Sequence, residues 1–61
     1  MEKFKEIIIS DEDNILSIEY NEFLGKYLVW FNGVILNSSK TKFPAVHKFS
    51  QLRDKYNLTE Q

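Results

Sequence analysis

His47 is the one imidazole in this chain and no cysteine accompanies it. Acid–base or nucleophilic chemistry around it would need a hydroxyl or carboxylate held at a fixed spacing from the ring, and no such partner is evident. A zinc site is excluded by the same inventory, since a single nitrogen ligand and no thiolate cannot complete a tetrahedral set. Asp11-Glu12-Asp13-Asn14 offers alternate carboxylates of the kind that bind calcium. An EF-hand, however, needs a glycine and a distant bidentate glutamate, and neither is in place. The only glycines are Gly25 and Gly33, each in a turn-like context, so there is no phosphate-cradling loop. Carboxylates pair up only in polar loops, where nothing would drive their pKa values apart. The expectation is a non-enzymatic chain with no cofactor, no metal ligand and no catalytic residue.

The elements that position these side chains can be read from their period. Residues 4–9 are rich in β-branched side chains and form the first strand candidate. After the polar 11–14 turn, Leu16, Ile18 and Tyr20 alternate with Ser17 and Glu19, which predicts a strand over 15–20 with one wet face. Asn21 to Gly25 form the next turn, and strands over 26–31 and 34–38 flank Asn32-Gly33. Asn-Gly between two apolar runs is the strongest local hairpin signal, because both central residues of a type I′ turn need φ > 0. The period then changes. Ala45, Phe49, Leu52 and Tyr56 fall on one stripe of a helix over 43–56, widened by Val46, with His47, Lys48, Gln51, Asp54 and Lys55 opposite. Pro44 suits a first turn, Thr41 is the expected N-cap and Asn57 the expected terminator. The fold class is α+β: a small four-stranded antiparallel meander followed by one C-terminal helix, ββββα, in a single domain over residues 1–61.

A two-residue turn at Asn32-Gly33 implies a register pairing Phe31 with Val34, Trp30 with Ile35, Val29 with Leu36, Leu28 with Asn37 and Tyr27 with Ser38. One face then carries Tyr27, Val29, Phe31, Val34 and Leu36. The other carries Leu28, Trp30 and Ile35, with Lys26 and Asn37 at its margin. Both are apolar, yet a helix is about 10 Å wide while four strands at about 4.8 Å span nearly twice that. One helix covers most of one face and none of the other. The uncovered apolar group, with Tyr27, Leu28, Trp30 and Ile35 as its candidates, is expected to be a protein interface. Strong curling of so small a sheet would instead draw Trp30 into a shared core.

Length sharpens this expectation. At 61 residues a domain buries only about 60% of its unfolded surface, and without disulfides or metal the remaining support is association with another chain. A homodimer with Trp30 or Tyr27 near its centre is expected, a further protein partner being open. The apolar runs are strand-sized, too short to cross a membrane, and Met1–Glu6 is charged where a secretory leader needs an apolar stretch. The expected location is cytoplasmic. Basic side chains are lysine except Arg53, and Ala45 is the only alanine; this bias is common in proteins of low-GC bacteria and their phages.

The near-neutral total conceals an asymmetry. Residues 1–25 hold two lysines against seven carboxylates, whereas residues 26–61 hold five lysines and Arg53 against two. Lys40, Lys42, His47 and Lys48 cluster where the last strand enters the helix. With Trp30 or Tyr27 as stacking surfaces, they are the candidate contacts for a nucleic acid. A chain that is net acidic with one arginine makes this the less favoured reading. The strand-strand-strand-strand-helix order resembles the transcriptional-coactivator type of single-strand-binding fold, and Trp30-Phe31-Asn32-Gly33 is similar to a Trp-Asn-Gly stretch in bacterial members. Tyr27 to Tyr56 also resembles the arm domains of phage integrases in being a hairpin followed by a helix. Both resemblances imply nucleic-acid binding, and neither carries a functional residue over to this sequence.

Overall fold

Two of the turns between strands and the end of the helix use left-handed backbone positions, at Gly25, Asn32-Gly33 and Asn57. A computed structural model describes residues 4–59. Asn32 and Gly33 have φ of 51° and 83°, the conformation a type I′ hairpin demands. The Asn32 side chain does more than tolerate this geometry. Its Oδ1 accepts the Ile15 N–H at 2.7 Å, its Nδ2 donates to Asn14 Oδ1 at 3.1 Å, and its backbone N–H donates to the Ile15 carbonyl at 2.8 Å. The turn is thereby tied to the start of the second strand. At the opposite end Asn21 closes a second turn, its Oδ1 accepting the Leu24 N–H at 3.0 Å and its carbonyl the Gly25 N–H at 2.8 Å. The acidic 11–14 segment is an Asx-type turn: Asp11 Oδ1 accepts the N–H groups of Asp13 and Asn14, each at 2.8 Å.

Between these turns run β1 (Ile7–Ser10), β2 (Ile15–Asn21), β3 (Lys26–Phe31) and β4 (Val34–Ser39), followed by α1 (Lys42–Lys55). The sheet is an antiparallel meander in the order β1-β2-β3-β4. The fold is the expected ββββα arrangement. The first strand starts three residues later than the 4–9 reading, because Phe4 leaves the ladder and packs edge-on against Tyr27, ring centroids 5.2 Å apart. The helix is displaced by one residue from 43–56, with Thr41 as N-cap and Tyr56 as C-cap. It closes in a Schellman motif around Asn57 at φ 53°: Leu58 N–H donates to Arg53 O at 2.9 Å and Asn57 N–H to Asp54 O at 3.4 Å.

That motif turns Leu58 back into the core, a contribution the helical stripe alone does not reveal. The core comprises Ile9, Leu16, Ile18 and Val29 from the sheet, Ala45, Phe49 and Leu52 from α1, and Leu58. Phe4, Ile7, Tyr27 and Phe31 pack against it. Tyr56, expected on the buried stripe, is only partly covered and stacks on Phe31 at 4.7 Å.

The register of β4 needs correction. Phe31 pairs with Val34 and Trp30 with Ile35 as expected, but Val29 pairs with Asn37, Leu28 with Ser38 and Tyr27 with Ser39. Leu36 is the extra residue of a β-bulge. The bulge moves Asn37 from the margin of the outer face to the helix side and leaves Leu36 exposed. A tight turn fixes only the nearest pairs, and the unbroken Val34-Ile35-Leu36 run has no alternation to hold register further along. A bulge on an edge strand also blunts its exposed hydrogen-bonding groups.

Candidate interaction face

Side chains alternate across the sheet, so the residues one step out of phase with the core line its other side. Register places them in rows. Ile8, Ser17, Trp30 and Ile35 form one row; Glu19, Leu28 and Ser38 the next; Asn21 and Lys26 a third. Ile15 lies beyond the first row, opposite Ser10. α1 packs on the other side of the sheet, through the cluster that contains Ile9, Leu16, Ile18 and Val29.

The consequence is a wall of exposed aliphatics. Ile8 is 56% accessible, Ile15 57% and Ile35 43%, and the half-buried Trp30 stands among them. Trp30 is fixed there, its Nε1 donating to Glu19 Oε2 at 2.7 Å. Glu19 sits opposite Leu28, one row away from Trp30, so this bond links two neighbouring rows of the face. Leu28 is itself buried to 2% although it lies outside the helix-side core. Glu6, Ile15, Ser17, Glu19, Trp30 and Gly33 line a shallow open trough on this side.

The expected interface residues therefore separate. Trp30 and Ile35 are on the open side and accessible. Leu28 is on that side but covered. Tyr27 belongs to the helix side, half-buried between Phe4 and Tyr20, with centroids at 5.2 Å and 4.9 Å. Ile8 and Ile15 join the wall, although the sequence assigns them no role there. Their phase relative to Ile9 and Leu16 is the signal that could have found them. The most exposed aromatics stand away from the wall: Phe23, fully accessible in the β2–β3 turn, and Phe43 in the first turn of α1.

The basic residues are less concentrated than their spacing in sequence suggests. At about 100° per residue, Lys42 and Lys48 flank the buried Ala45–Phe49–Leu52 stripe on opposite sides, and His47 points away from it. Lys42 Nζ lies 5.4 Å from the centre of the Phe4 ring. Lys40 precedes the helix in a bend. Trp30, the aromatic that would stack a base, faces away from α1. Among the described residues no group of three or more His, Cys, Asp or Glu is placed to hold a metal ion, and no helix is long and apolar enough to cross a membrane. No family model, curated protein or solved structure matches this chain.

Proposed function

We propose that this chain is a small non-enzymatic protein-binding module of the cytoplasm that self-associates through the open face of its sheet, and that it serves as a regulator or inhibitor in a low-GC bacterium or phage. The observation that carries the reading is the row of Ile8, Trp30 and Ile35, continued by Ile15, left uncovered by the helix. Contiguous apolar surface of this kind usually marks an interaction site on a soluble chain. Its centre is an aromatic side chain held in place by a hydrogen bond, the sort of preordered group that dominates interfaces. The competing nucleic-acid reading draws less support, since Lys42, His47 and Lys48 lie on α1, on the other side of the sheet from Trp30.

Sedimentation across a wide concentration range tests the proposal. The wild-type chain should shift from monomer to dimer, and Ile15→Lys, at an exposed position, should stay monomeric with unchanged circular dichroism. Trp30→Lys should give a folded monomer, or an unfolded chain if folding and assembly are coupled. A wild type that stays monomeric throughout would overturn the reading.

A further inference from the structure

The turn that closes the β3–β4 hairpin carries a reactive pair. Asparagine is a thermolabile residue: its amide carbon Cγ is electrophilic, and the backbone nitrogen of the next residue can close a five-membered ring onto it. A side chain on that next residue shields the nitrogen, and glycine has none. Asn32-Gly33 is the one Asn-Gly step in the chain, the other asparagines preceding Ile15, Glu22, Ser38 and Leu58. Both residues of the pair are exposed, and nothing lies within 4 Å of the place a Gly33 Cβ would take.

Access to the pair is open, but its amide is held. Asn32 Oδ1 accepts the Ile15 N–H at 2.7 Å, and Nδ2 donates to Asn14 Oδ1 at 3.1 Å. The Asn32 backbone N–H donates to the Ile15 carbonyl at 2.8 Å, fixing the base of the side chain as well. Swinging Cγ onto the Gly33 nitrogen breaks both side-chain bonds. The folded turn therefore presents a reactive sequence in an unreactive arrangement.

We propose that Asn32-Gly33 is a self-modification site locked by the fold, and that Asn32 deamidates in chains whose β3–β4 hairpin has opened. The Gly33 nitrogen gives up its proton and attacks Asn32 Cγ. The N–Cγ bond forms, the Cγ–Nδ2 bond breaks, and Nδ2 leaves as ammonia with that proton. Water, the only co-reactant, then opens the cyclic imide at one of its two carbonyl carbons. Opening at Cγ leaves aspartate. Opening at the backbone carbonyl carbon leaves isoaspartate, with the main chain rerouted through Cβ and Cγ. That lengthens the backbone of a two-residue turn whose closure sets Phe31 against Val34 and Trp30 against Ile35. A chain so modified does not rebuild the turn, and the hairpin that presents Trp30 and Ile35 is lost.

Mass spectrometry of the full chain, with peptide mapping, follows the reaction at mildly alkaline pH. In denaturing urea Asn32 should be the first asparagine converted. Gly33→Ala should slow it there, because the added methyl shields the nitrogen. In native buffer conversion of Asn32 should run at least about tenfold slower than in urea, since it waits on local opening. Asn14→Ala removes the acceptor of Nδ2, so it should speed conversion in native buffer and leave the urea rate unchanged. Earlier conversion of another asparagine in urea would overturn the site. A native rate equal to the urea rate, or a native rate unaltered by Asn14→Ala, would overturn the lock.

Discussion

Ile8 and Ile9 are neighbours of the same type in the same strand, yet one is 56% accessible and the other 1%. Ile15 and Leu16 repeat the contrast one strand over, at 57% and 0%. The two sides of the sheet are built from similar residues, and what separates them is the single helix, among the described residues, that covers one side. On the covered side, apolar side chains meet Ala45, Phe49, Leu52 and Leu58 and lose their water. On the open side Ile8, Ile15 and Ile35 keep theirs, and the Trp30 indole among them is anchored by its bond to Glu19. Burial is thus decided by phase relative to the helix and not by hydrophobicity alone.

Substitutions can probe how deep this difference runs. Phe49→Ala removes the largest helix side chain in the core, and a loss of about 3–5 kcal/mol should unfold much of so small a domain, as a urea titration would reveal. The Ile8 and Ile9 pair makes the cleanest test. Ile9→Ala should cost about 2–5 kcal/mol against less than about 1 kcal/mol for Ile8→Ala in the monomer. Equal losses from dilute samples would mean that the two sides are equally buried in solution and the contrast false. Gly33→Val isolates the turn that sets the β3–β4 hairpin. A Cβ there meets nothing within 4 Å, so the expected cost of about 1–2 kcal/mol comes from the left-handed backbone alone. An unchanged melting temperature would show that the hairpin closes differently. Smallest of all, His47→Ala on the exposed side of α1 should stay within about 0.5 kcal/mol of the wild type. A large loss there would reverse the assigned phase of the helix.

The elements, their order and most of their phase can be read from the residues alone. Asn32-Gly33 specifies a type I′ hairpin because few other residue pairs enter left-handed backbone cheaply. The Leu16–Tyr20 alternation and the Ala45–Phe49–Leu52 stripe fix which residues face the core, since periods of 2 and 3.6 are properties of local backbone geometry. Asn57 likewise announces the end of the helix. Other features come from packing between distant segments, which local period cannot encode. Val34-Ile35-Leu36 is apolar throughout, so the bulge at Leu36 had no signature and was settled by how an edge strand meets its neighbour. Leu58 is buried only because the Schellman turn folds it back onto the core. Tyr27 and Trp30, three residues apart in one strand and both apolar and aromatic, part company because the helix packs on one side of the sheet, leaving Trp30 with the exposed isoleucines. In β3, which is apolar on both sides, the covered side depends on contacts between residues distant in sequence, and its own local pattern does not choose between them.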